Sequence, residues 1–132
     1  MESESAKEKS VLSEKIGNHL KRCSAFVNLI IEAYPNILFC VAHKNGYFKE
    51  LYGSWEKTLG WKENDLLASP WLDFIEPQDV EKTKTKAEEM KARNIIRFHN
   101  HYRCKDGTYR RMEWTCLAWN GDGTSYCMVK VD

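Results

Sequence analysis

The tripeptide Lys105-Asp106-Gly107 lies between two runs, Ile95–Cys104 and Tyr109–Trp119, whose aromatic and β-branched content predicts strands. A three-residue hairpin loop holds its last residue in the left-handed backbone region, which glycine adopts without steric penalty. Placing Gly107 there fixes the register: Tyr102 opposite Arg110, Asn100 opposite Met112, Phe98 opposite Trp114. Side chains alternate between faces along a strand, so His101 then faces Arg111 and His99 faces Glu113 on the other side. A two-residue loop would mix the two faces. One face therefore carries Phe98, Asn100, Tyr102, Met112, Trp114 and Cys116, and is expected to continue through Tyr126, Met128 and Lys130 of a third strand, Ser125–Val131, reached through Asn120-Gly121-Asp122-Gly123. That face is expected to lie under helices and to hold the imidazoles outside.

Upstream, Ile37–His43 and Tyr47–Tyr52 are split by Asn45-Gly46, a hairpin signal because both residue types tolerate positive φ. Between this hairpin and Ile95 the pattern turns helical. Ser54 to Trp61 reads as a short helix closed at Gly60, Asp65-Leu66-Leu67 and a Pro70-Trp71 corner follow, and Phe74 to Val80 opens a longer helix over Gln78–Arg93 with a thin apolar side of Val80, Ala87 and Met90. Two strands, helices, then three strands predict an antiparallel α+β domain. At 132 residues and 42% hydrophobic the chain can bury one core. Its net charge of +1 gives no electrostatic basis for nucleic acid or an anionic membrane. The longest apolar run, Ile37–Ala42, is far short of the roughly 20 residues of a spanning helix, so a cytoplasmic setting is expected. Five cysteines without a Cys-x-x-Cys pair suggest reduced, mostly buried thiols.

Residues 1–10 are mostly Glu, Ser and Lys and are expected to be a disordered lead-in. Over residues 11–34, Ile16, Leu20, Cys23, Val27, Ile30 and Tyr34 recur at spacings of three and four, the stripe of an amphipathic helix that Pro35 stops. The stripe suits either docking on its own domain or a homodimer seam, with Ile16, Leu20, Cys23, Val27 and Ile30 as interface residues. The main domain is expected over 35–132.

The succession from Trp55 to Trp61, through Asp65-Leu66-Leu67 and Trp71 to Val80, followed by Tyr102 to Trp114 and the closing Val131-Asp132, resembles a PAS domain. The resemblance covers roughly residues 34–132. It implies a five-stranded antiparallel sheet backed by short helices and one longer helix, acting as a sensor or coupler rather than as an enzyme. Asp132 resembles the first residue of the Asp-Ile-Thr junction through which such domains pass a signal onward, which implies an output domain in the same parent chain, a histidine kinase or cyclic-dinucleotide enzyme. Flavin-binding members, and those carrying a cysteine-linked blue-light chromophore, need a cysteine in the segment occupied here by Ala68 to Asp73, and haem-binding members commonly supply a histidine from the long helix. Neither is present, so haem and flavin are disfavoured and no cofactor is expected.

Three constellations carry possible chemistry. His99, His101 and Glu113 share a strand face, which suits a metal, an acid–base pair or a pH-sensitive contact, and would support a small α+β enzyme or carrier only if that face were interior. Asn100 and Lys130, expected inside, need polar partners, which a helix backbone group, water or a small ligand on an aromatic floor would supply. The thiols of Cys23, Cys40 and Cys116 suggest packing that changes on oxidation. The leading expectation is a sensing or dimerisation module binding a small molecule through Cys40, Trp55, Asn100, Tyr102, Met112, Trp114, Met128 and Lys130. A ligand-free interaction domain is the alternative.

Overall fold

The structure, a computed structural model, describes residues 8, 22–92 and 94–132. Five strands form one antiparallel sheet: β1 (Ile37–His43), β2 (Phe48–Tyr52), β3 (Ile95–Arg103), β4 (Tyr109–Leu117) and β5 (Thr124–Val131), in the order β2-β1-β5-β4-β3. Between β2 and β3 run α2 (Trp55–Leu59), α3 (Glu63–Ala68), two single 3₁₀ turns (Trp71–Phe74 and Pro77–Asp79) and α4 (Val80–Glu89), preceded in the chain by a helix, α1, at residues 22–33. Leu59, Leu66 and Phe74 of this crossover are buried with Leu38, Cys40, Met112, Trp114 and Val129 of the sheet in one core. The long helix is shorter than Gln78–Arg93, because Pro77–Asp79 forms a 3₁₀ turn and Met90 ends the α-helical stretch. Ile16 and Leu20 lie outside the described residues, as does the lead-in apart from residue 8. Val27 and Ile30 on α1 are half-buried and Cys23 is exposed.

All three hairpins use the same device. His43, Cys104 and Asn120 each donate their N–H across the loop, to Tyr47, Thr108 and Thr124, and each accepts from the loop's last residue, Gly46, Gly107 or Gly123, at 3.0, 3.0 and 2.9 Å. Those glycines have φ of 96°, 90° and 85°, the left-handed third position of a type I turn. The middle residue is an Asx in every case: Asn45, Asp106 and Asp122 accept from the N–H two residues on at 3.1, 2.9 and 3.0 Å. Asn45 therefore stays at negative φ, and the first hairpin has a three-residue loop instead of a tight Asn-Gly pair. Hydrogen bonds from the Thr108 and Thr124 hydroxyls and N–H groups hold the Asp106 and Asp122 carboxyls below their usual pKa.

The β3–β4 register matches expectation residue by residue, with Phe98 opposite Trp114, Asn100 opposite Met112 and His99 opposite Glu113. Register in β5 does not. Carrying the Asn120–Thr124 turn straight into the strands would set Cys116 opposite Met128 and Trp114 opposite Lys130, whereas the structure pairs Cys116 with Cys127, Trp114 with Val129 and Met112 with Val131. The extra residue is absorbed at Ala118-Trp119, whose N–H groups leave β5 and bond Asn94 O and Met90 O at 3.0 and 3.1 Å. A one-residue slip exchanges the two faces of a strand. Tyr126, Met128 and Lys130 are consequently exposed on the outer face, and Ser125, Cys127, Val129 and Val131 point into the core.

The edge strand β3 is covered by the crossover. Ile75 bridges Tyr102, Glu76 N bonds His101 O at 2.9 Å, and His101 N bonds the Asp79 carboxylate at 2.9 Å. These bonds leave less of β3 open to strand addition. At the end of the sheet nearest Asp132, Val131 N bonds Asn36 O at 2.9 Å, and Asp132 N bonds Arg111 O at 3.1 Å. The Asp132 carboxylate pairs with Arg111 at 2.7 Å, and Arg110 donates twice to its carbonyl.

Candidate ligand cavity

Between the inner face of the sheet and the crossover lies a cavity of about 40 Å³ that communicates with solvent. At about 10–15 Å³ per water-sized sphere it holds a molecule of a few heavy atoms. Its floor is aromatic: Trp114 stacks with Phe98 (6.2 Å, 8°) and with Phe48 (6.3 Å, 13°). Tyr102, which also lines the cavity, stacks on Phe74 at 5.5 Å. Trp71, whose backbone N–H bonds Gly46 O at 2.8 Å, lines the cavity as well, with Thr83 and Ala87 of α4 and Met90 at that helix's end.

Polar groups in this wall form one continuous chain. Trp114 Nε1 donates to Asn100 Oδ1 at 2.8 Å, Asn100 Nδ2 donates to Thr83 Oγ1 at 3.3 Å, and Thr83 Oγ1 donates to Asp79 O at 2.9 Å. Asp79 then accepts from both the backbone and the ring of His101 at 2.9 Å through Oδ2, and its Oδ1 lies 3.7 Å from Lys82. Desolvation would push the Asp79 carboxyl up, but the His101 hydrogen bonds with Lys82 outweigh it and hold the pKa below the usual value. A buried aromatic on β4 is thus linked through α4 to the backbone of the edge strand.

Two residues that line the cavity each hold a buried polar atom without a partner, the Tyr102 hydroxyl and Trp71 Nε1. The other four indoles are satisfied: Trp55 by Phe39 O and Tyr52 O, Trp61 by Arg103 O, Trp114 by Asn100, Trp119 by Ala87 O. Complete burial pushes the Tyr102 pKa well up, so its hydroxyl remains a neutral donor. Such groups cost free energy until something accepts from them.

Of the expected site residues, Asn100, Tyr102 and Trp114 line the cavity, while Met112 and Cys40 are buried in the same face without bordering it. Trp55 is buried too, but its indole ties β1 to β2. Met128 and Lys130 lie on the exposed side for the register reason given above. The expected inward polar pair of Asn100 and Lys130 is therefore not formed, and Thr83 takes the place of Lys130 as the partner of Asn100. Trp71, Thr83, Met90 and Cys127 were not expected there; the Pro70-Trp71 corner was visible in the sequence, but α4 reads as a mostly charged surface helix.

Outside the cavity, His99 is exposed and Glu113 accepts from Arg111 at 2.9 Å, so His99, His101 and Glu113 do not assemble. His101 instead meets Glu76 at 3.5 Å and Asp79 at 2.9 Å. Among the described residues, these three are the group able to offer one metal-ligand atom each within 4.8 Å of one another. The ring-to-carboxylate hydrogen bond and Lys82 account for their proximity without an ion.

Cys40, Cys127 and Cys116 form a rung across β1, β5 and β4, with Cys40 opposite Cys127 and Cys127 opposite Cys116. Hydrogen bonding from Cys116, then from Cys40, favours the thiolate of Cys127 against the opposing effect of burial. Burial raises Cys40, and the bond to Cys127 together with burial raises Cys116.

A family model described as the PAS fold matches residues 49–132. Among solved structures, the PAS domain of an HTR-like protein from Haloarcula marismortui superposes with a TM-score of 0.65 at 19% identity, over 90% of this chain and 98% of that one. A domain of a sensory box sensor histidine kinase/response regulator from Geobacter sulfurreducens gives a TM-score of 0.65 at 13% identity, covering 84% and 96%. Cycle PAS-B of Drosophila melanogaster, with bound ethylene glycol, gives 0.63 at 13% identity, covering 72% and 97%. A search of curated proteins finds no match.

Proposed function

The chain belongs to the PAS fold family, sensor domains of signalling proteins, and on that premise we propose that its cavity holds a small uncharged molecule with a hydrogen-bond acceptor, whose arrival is passed to a downstream output domain. The observation that carries this reading is an aromatic-lined hollow, two of whose lining residues, Tyr102 and Trp71, each hold a buried donor without a partner. A ligand over the Trp114 face that reaches those donors gives each the acceptor it lacks within the protein. Ethylene glycol on Cycle PAS-B is a molecule of the size that this hollow accommodates. The polar chain from Trp114 to Asp79 supplies the coupling, since a ligand that moves Trp114 or Thr83 shifts the balance between packings of α4 and β3. In this reading the module is regulatory, and its parent is a histidine kinase or a cyclic-dinucleotide enzyme.

The test uses the five indole N–H resonances during titration with ethylene glycol or glycerol. Trp71 is expected to shift saturably, and Tyr102→Phe to weaken that binding while leaving stability unchanged or about 1 kcal/mol higher, because an unpartnered hydroxyl is removed. No saturable indole shift with either polyol would remove the reading.

A homodimer is the second element of the proposal. The outer face sets the half-buried Phe39 beside Met128, 41% exposed, next to Tyr126, 57% exposed, while α1 shows Phe26 and Leu29 at 62% and 61%. Apolar surface of this kind, on the sheet face away from the cavity and on the helix leading into it, suits a second copy of the chain. Sedimentation equilibrium is expected to show a dimer that Tyr126→Glu dissociates. A monomer at all concentrations would overturn this element and leave the cavity reading intact.

No helix among the described residues is long and apolar enough to cross a membrane.

A further inference from the structure

Three thiols on three neighbouring strands, all on the inner face and in direct register, are an unusual use of a core. Cys40, Cys127 and Cys116 are 2, 4 and 3% exposed, and the last two also border the cavity. Directly opposed residues in an antiparallel pair have Cα separations of about 4.5 or 5.5 Å, and both fall within the roughly 4.4–6.8 Å that a disulfide spans. Cys127 is opposed on both sides, so it can bond only one neighbour at a time. The two neighbours differ. Cys40 sits in the middle of a seven-pair ladder between β1 and β5 and does not border the cavity. Cys116 is the last paired residue of β4 before the register slip, where Ser125 Oγ bonds Leu117 O and the following N–H groups turn away. Strand separation can tighten more readily there, at the end of a ladder, than in its middle.

We propose that Cys127 and Cys116 form a reversible oxidation site for a small hydroperoxide admitted through the cavity. The sulfur of Cys127, as thiolate, attacks the distal oxygen of the hydroperoxide. The O–O bond breaks, the alcohol leaves with the proton, and Cys127 becomes a sulfenic acid. The Cys116 sulfur then attacks that sulfur, the S–S bond forms, and the S–OH bond breaks to release water with the Cys116 proton. Two thiols lose two electrons in total and the hydroperoxide gains them. Ser125 Oγ, 3.6 Å from Cys127 Sγ, and the Cys40 thiol are the polar neighbours that assist the thiolate. The reaction does not depend on the ligand or dimer readings. A disulfide at this rung would draw β4 and β5 together beneath Trp114, bringing oxidation to the same wall that the polar chain leaves from.

The experiment is peroxide treatment of the whole chain, alkylation, tryptic digestion and mass spectrometry. Cleavage at Arg111 and Lys130 leaves Cys116 and Cys127 on one peptide, residues 112–130, while Cys23 and Cys40 share another, residues 23–44. The expected result is the peptide 112–130 lighter by two hydrogen atoms, two of the five thiols protected from alkylation, and both effects reversed by a reductant. Cys127→Ser and Cys116→Ser should abolish the mass change, whereas Cys40→Ser should not. Linkage of 112–130 to 23–44, stable oxygen addition without a link, or five thiols still reactive would each overturn the proposal. The wild-type peptide map decides the matter even if a serine variant fails to fold.

Discussion

Replacing Asn100 with alanine is expected to lower the free energy of unfolding by about 3 kcal/mol, read as a shift in the urea midpoint at unchanged slope. Asn100 is 1% exposed and satisfies two other buried groups at once, accepting from Trp114 and donating to Thr83. Alanine leaves the Trp114 N–H buried without an acceptor, at a cost of about 1–3 kcal/mol, and opens a void the size of a carboxamide. Asn100→Leu fills that void and keeps only the polar loss, so it should cost about half as much. Hydrogen exchange gives a second readout: amides of α4 from Thr83 to Glu89 should lose protection more than those of β1 and β5, because Asn100 ties that helix to β3 through its side chain. A loss below about 1 kcal/mol for Asn100→Ala would mean that water replaces the carboxamide and that the chain carries no coupling.

Asp79→Ala is expected to cost a similar amount, about 2–3 kcal/mol at neutral pH, and its cost is tied to acid. The Asp79 carboxylate receives the His101 backbone N–H, the His101 ring and Lys82, and its pKa in the folded protein lies below the unfolded value of about 4. For a depressed carboxyl the sign is fixed: the stabilisation is fully present above the unfolded pKa and is lost as the pH falls through the folded one. Wild type should therefore lose stability below about pH 4, and the gap between wild type and Asp79→Ala should narrow over the same range. A gap constant from neutral pH down to pH 3 would sink the assignment of Asp79 as a charged latch.

What the sequence disclosed and what it hid can be followed strand by strand. At Lys105-Asp106-Gly107 one glycine and a strong contrast between faces left a single workable register, and Asn100, Tyr102 and Trp114 came out on the inner wall. In β5 the two candidate faces were Tyr126, Met128, Lys130 and Ser125, Cys127, Val129, Val131, both partly apolar, so composition had little to choose between them. The decision was made by the extra residue at Ala118-Trp119, whose partners are Asn94 and Met90, far off in the chain. Local reading has no access to such a constraint. Thr83 was hidden for a related reason: α4 is charged around most of its surface, and of its two threonines, set among lysines and glutamates, nothing in the sequence tells which faces a buried asparagine. The outward imidazoles were legible, but the crossover that wraps the β3 edge and brings Asp79 to His101 was not.

Asn36 and Val131 grip one another where the sheet begins and where it ends, so the domain hangs to the side of its own thread. Any polypeptide continuing past Asp132 would emerge beside residue 36, and a torque applied to either lead is passed to the other through the β1–β5 ladder that the Asn36 bond extends, while the Arg111 clasp ties the exit to β4. Inserted in a longer rod, such a unit would add almost no length, and what it transmits would be rotation or splay of two neighbouring leads rather than a push along the axis.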